Sequence, residues 1–136
     1  MKKLILLLVT ITLFSSCLPD DDGQKISLEL VPIESVEIPQ EFVLGETYNI
    51  TVRYFRPSDC HVYDGIYYES NLNERTFAIR NAVNNNGSCS QLNEVIVEKS
   101  FDFFVTSNGS YIFKFWQGVN NTGENVFLEY EIPVID

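Results

Sequence analysis

The chain of 136 residues is 45% apolar and 21% charged, with 5 Pro and 7 Gly. Those proportions fit one globular domain and exclude a disordered, collagen-like or multi-domain chain. Asp and Glu total 19 against 9 Lys and Arg, a net charge of −10, so the positive field that a nucleic-acid partner requires is missing.

Lys2 and Lys3 precede an apolar run from Leu4 to Phe14, and Ser15-Ser16-Cys17 follows. A basic start, a short apolar stretch and small residues at its end form the plan of an export signal. A membrane span needs about 20 apolar residues. Ser15-Ser16 and Asp20-Asp21-Asp22 interrupt this run well before that.

The string Leu13-Phe14-Ser15-Ser16-Cys17 resembles the lipobox of bacterial lipoproteins in the loose form seen in the Bacteroidota, with Phe14 where the strict pattern prefers Leu. The resemblance implies that residues 1–16 are a lipoprotein signal peptide, that Cys17 is lipidated, and that residues 17–25 form an acidic tether. Ordinary secretion, with Cys17 as a spare thiol, is the alternative. Loss of Lys2 and Lys3 would bring the net charge to −12. Asp20, Asp21 and Asp22 resemble the surface-export signals of Bacteroidota lipoproteins, which implies an outer-membrane anchor facing outward. A solvated, self-repelling linker explains the same charges. The partner implied at this end is the membrane, held through acyl chains and not through a span. Asp20, Asp22, Gly23 and Glu29 match part of a calcium-loop pattern. Leu18 stands where its first ligand belongs, so no metal is expected, and no cofactor either.

With Cys17 acylated, Cys60 and Cys89 are left as an even pair. In an oxidising compartment such thiols form a disulfide. The only His, His61, sits beside Cys60 with no second imidazole to complete a metal site.

Residues 26–136 read as one all-β domain, because the apolar period is two and not 3.6. Ile26, Leu28 and Leu30 open the pattern, then Val36 and Ile38, then Tyr48, Ile50, Val52 and Tyr54. The segments Val62 to Tyr68 and Arg75 to Val83 are weaker, and the second could hold a helical turn. Val95, Val97, Phe101, Phe103 and Val105 form the next row, followed by Tyr111, Phe113 and Phe115, then Leu128, Tyr130, Ile132 and Val134. Turn residues at Pro39-Gln40, Gly45, Pro57 to Asp59, Asn84 to Gly87, Asn108-Gly109 and Asn120 to Gly123 separate them. Seven or eight short strands in this length predict antiparallel sheets packed face to face as a sandwich.

Ser107-Asn108-Gly109-Ser110-Tyr111-Ile112-Phe113 resembles the tyrosine corner of immunoglobulin domains, with Ser107 for the usual Asp and Phe113 for the usual Cys. The resemblance implies an immunoglobulin-like sandwich in which the Tyr111 hydroxyl bonds to upstream backbone. A plain Asn-Gly hairpin is the competing reading. With Phe113 in place of Cys, a Cys60–Cys89 bridge would clamp the middle strands to a long loop. Pairing of Trp116 with Phe127 would set Lys114 opposite Glu129 on the non-core face.

No catalytic residue emerges: G-x-S-x-G, H-E-x-x-H and phosphate-binding Gly loops are all missing. What remains is a binding surface, with Trp116, Phe127, Tyr63 and Tyr67 as its candidates. The expectation is a lipid-anchored envelope lipoprotein, at the cell surface, acting as a non-enzymatic protein-interaction module. A carbohydrate-binding accessory of a glycan-uptake system is the alternative, as is a hydrolase inhibitor presenting the loop Asn84 to Ser90.

Overall fold

The computed structural model describes Gly23 and residues 25–136, so Cys17, the lipobox and the run Asp20 to Asp22 lie outside the described residues. The described chain is all β. Its strands are β1 (Ile26–Val31), β2 (Ser35–Glu37), β3 (Phe42–Val43), β4 (Thr47–Phe55), β5 (His61–Asn71), β6 (Glu74–Asn84), β7 (Ile96–Phe104), β8 (Tyr111–Val119), β9 (Asn125–Ile132) and β10 (Val134–Ile135).

Two sheets pack face to face. The larger holds β5, β6, β1, β8 and β9, the smaller β2, β4 and β7, and a two-stranded β3–β10 ribbon lies beside them. Alternation explains the inner faces. Ile50, Val52 and Tyr54 from β4 are buried, and they meet Phe77 and Ile79 from β6 and Phe113 and Phe115 from β8. Aromatic rings interlock the layers: Phe77 stacks on Phe101 at 4.7 Å, and Phe103 meets Phe113 edge-on at 5.0 Å. Offset stacks and edge contacts of this kind suit the ring quadrupole.

The expectation of purely antiparallel sheets is corrected in two places. β6 pairs with β8 in parallel, Arg75 beside Phe113, and β10 pairs with β3 in parallel, Val134 beside Phe42. The physical cause lies in the β5–β6 hairpin. β6 contributes buried Phe77, Ala78 and Ile79, whereas β5 carries Asp64, Glu69, Ser70 and Asn71. The more apolar strand takes the interior position, which sets it parallel to β8. One edge of β6 is then shared, with β8 along residues 74–77 and β1 along residues 79–84. The segment Arg75 to Val83 is therefore extended throughout, with no helical turn.

Four connections cross between the two sheets, after β1, β4, β6 and β7. After β1 the chain passes at Pro32 into the smaller sheet, with the Ile33 amide donating to Trp116 and the Glu34 amide to Arg53. Between β7 and β8 the chain changes sheet again, so Asn108-Gly109 is a corner and not a hairpin within one sheet. The buried Tyr111 hydroxyl accepts the Ser107 amide at 2.9 Å and the Thr106 amide at 3.2 Å. Burial pushes that hydroxyl up, yet the bonds with Thr106 and Ser107 prevail and hold it below its ordinary pKa. Cys60, just before β5, is bonded to Cys89 in the loop after β6.

The candidate binding face

Side chains of paired residues share one face of a sheet. The β8–β9 register sets Trp116 opposite Phe127 and Lys114 opposite Glu129. Phe113 and Phe115 point into the core, so Trp116 and Lys114 point away from it. The Lys114 ammonium reaches Glu129 at 3.8 Å and sits 4.7 Å from the Phe127 ring centroid. The Trp116 indole donates to Asn125 Oδ1 at 3.0 Å. Gly118 makes this possible, because its φ of 100° lies where the β8–β9 register shifts, next to Trp116.

Two further strands complete the face. Tyr67 on β5 pairs with Ala78 on β6, and Leu30 on β1 pairs with Arg80. Leu30, Tyr67, Ala78, Trp116, Asn125 and Phe127 line one shallow concavity of about 310 Å³ with Glu69 and Thr76 at its rim. The exposed Tyr67 hydroxyl donates to the Glu69 carboxylate at 2.8 Å, and this bond raises its pKa. Three of the four residues expected on the surface thus converge.

Tyr63 does not join them, which corrects the sequence-based set. It pairs with the buried Asn81, on the inward side of the sheet. There the Lys99 ammonium lies 4.5 Å from its ring centroid, and burial raises its hydroxyl pKa. A bulge between Tyr63 and Gly65 separates its face from that of Tyr67. The two tyrosines are an even number of positions apart, so period-two counting puts them together. The one extra residue flips the phase.

Leu30 was not singled out from the sequence, although its alternating row was visible. Ile26, Leu28 and Leu30 form an alternating apolar row, and they are 58%, 63% and 38% exposed. Their partners Asn84, Ala82 and Arg80 belong to the outward set of β6. Val62, opposite Ala82 on the other side of β6, is exposed too. Apolar side chains therefore run from Ile26 to Phe127 across the outer face.

A second constellation escapes any linear reading. His61 Nδ1 lies 2.6 Å from Ser58 Oγ, and Nε2 lies 3.3 Å from Glu29 Oε2. This brings a hydroxyl, an imidazole and a carboxylate into line, although the sequence offered no base placed beside a nucleophile. Ser58 Oγ also accepts the Cys60 amide at 3.2 Å. Ser58 itself is only 8% exposed. The network clamps the turn before β5 to β1. Asp59, Cys60 and Cys89 also cluster, but each sulfur is bonded to the other, which leaves Asp59 as the single free ligand.

Compared with family models, curated proteins and solved structures, the chain matches none of them.

Proposed function

We propose that this chain is a lipid-anchored envelope protein that docks a protein partner on the outer face of its five-stranded sheet, without chemistry of its own. One observation carries this reading: the outward apolar cluster in which Leu30, Tyr67, Trp116 and Phe127 share a concavity. Soluble monomers rarely leave such a patch open, and large ones mark interaction sites. Tyr and Trp also supply much of the energy where proteins meet. The anchor rests on the lipobox-like string ending at Cys17.

The test is cell fractionation with protease shaving of intact cells, wild type beside Cys17→Ala. Wild type is expected in the membrane fraction and open to protease, and Cys17→Ala in the soluble fraction. Retention of Cys17→Ala in the membrane fraction contradicts the anchor. An anchored protein that resists shaving of intact cells contradicts surface display.

A second reading follows from the rim. The Glu69 carboxylate and the Asn125 amide flank the aromatic floor of the concavity, an arrangement that also suits a sugar ring stacked on Trp116. Affinity electrophoresis in polysaccharide gels separates the two. Retardation that Trp116→Ala weakens by about 1–3 kcal/mol favours the glycan, and unchanged mobility favours the protein partner.

A further inference from the structure

The outer face is not uniform along its length. At one end stand Ile26, Leu28 and Val62, which are 58%, 63% and 60% exposed. Ala82 lies between Leu28 and Val62. On that face Arg80 and Asp64 follow, joined at 2.6 Å, and the exposed Asp59 lies beside the Cys60–Cys89 bridge. The other end bears Glu69, Glu129 and Glu131 against Lys114.

The apolar end is also where the chain enters the domain. The Lys25 amide donates to Asn86, and the Asn85 amide donates to the Lys25 carbonyl. Ile26 follows directly, beside Asn84. Nine residue steps separate it from Cys17, a reach of at most about 32 Å even when fully extended.

We infer that Ile26, Leu28 and Val62 form a membrane-resting surface that lies against the headgroup–acyl boundary of the bilayer holding the anchor. This rests on the reading that Cys17 is acylated. An acyl anchor keeps this end within reach of the bilayer, so weak apolar contacts form without a further loss of translational freedom. Exposed aliphatic side chains favour the boundary region, whereas the more heavily acidic end of the face does not. The domain would then lie on its β1 corner and present the Trp116 end away from the surface.

The test uses the full chain, processed in cells, purified in detergent and reconstituted into phosphatidylethanolamine–phosphatidylglycerol vesicles doped with acyl-brominated phosphatidylcholine. Leu28→Trp in a Trp116→Phe background reports the proposed contact, and Ser100→Trp in the same background reports the far sheet. The contact predicts that Leu28→Trp fluorescence is quenched several-fold more strongly than Ser100→Trp, with shallow bromines most effective. Equal quenching of the two probes, with the protein vesicle-bound and Cys17→Ala unbound, overturns the contact and leaves the anchor standing. Vesicle binding by Cys17→Ala equal to wild type overturns the anchor, and the contact with it. A blue-shifted but unquenched Leu28→Trp, with a dimer in sedimentation, assigns the patch to a second copy instead.

Discussion

Trp116 and Phe127 face each other across the β8–β9 ladder on the side of the sheet turned from the core, while Phe113 and Phe115, alternating with Trp116 along the same strand, are fully buried. The two sets of aromatics therefore do different work. Truncating Trp116 removes an outward-facing ring, and truncating Phe113 opens a cavity between the sheets. Phe113→Ala is expected to cost about 3–5 kcal/mol in urea unfolding, and Trp116→Ala less than about 1.5 kcal/mol. A loss at Trp116 equal to that at Phe113 would make the indole a core residue.

The Tyr111 hydroxyl serves the backbone. Tyr111→Phe leaves the Ser107 and Thr106 amides without their acceptor. The expected loss is about 1–3 kcal/mol, with no change in the face that carries Trp116. Chemical denaturation of Tyr111→Phe gives the number, and an unchanged midpoint would remove the corner from the account.

The Cys60–Cys89 bond closes 29 residues, a loop worth about 3.5 kcal/mol by chain entropy. The Cys60→Ser, Cys89→Ser double variant should lose about 2–4 kcal/mol, and wild type in dithiothreitol should lose the same. Stability unchanged by reductant would show that the bond holds nothing the sheets do not already hold.

Asn81 is fully buried on the inner face of β6, with the Tyr54 hydroxyl beside it but no hydrogen bond of good geometry to its amide nitrogen or oxygen. An unsatisfied buried amide costs stability, so Asn81→Leu is expected to raise the unfolding free energy by about 1–2 kcal/mol. Nearby Tyr54 extends the argument to pH. Burial raises its pKa, so the folded state favours the protonated hydroxyl. That contribution is complete below pH 10, the ordinary tyrosine value, and declines as pH rises through the folded-state pKa. Tyr54→Phe should therefore flatten the alkaline decline in melting temperature, and an identical decline in both proteins would contradict it.

Much of this was legible in the residues. Period-two rows located β4, β7, β8 and β9, and once Trp116 is paired with Phe127 the Lys114–Glu129 pair follows from spacing. Cysteine parity gave the bridge. Periodicity reports only that faces alternate, not which face is covered, so the outward turn of Leu28 needed the packing. It also carries no strand direction, so the parallel β6–β8 pair was invisible. The bulge beside Tyr63 was hidden for a related reason, since one extra residue leaves no mark in composition. The Glu29–His61 contact spans 32 positions, and only the fold brings its ends together.

The central claim is that the Trp116 end of the outer face receives a protein. A photo-crosslinking amino acid at Tyr67, in the concavity, tests it in intact cells, with Ser100 on the other sheet as the comparison site. The account predicts one discrete protein adduct at position 67, abolished by Trp116→Ala, and none at position 100. An adduct at position 100 alone, or none at position 67 in a folded and anchored protein, would contradict it.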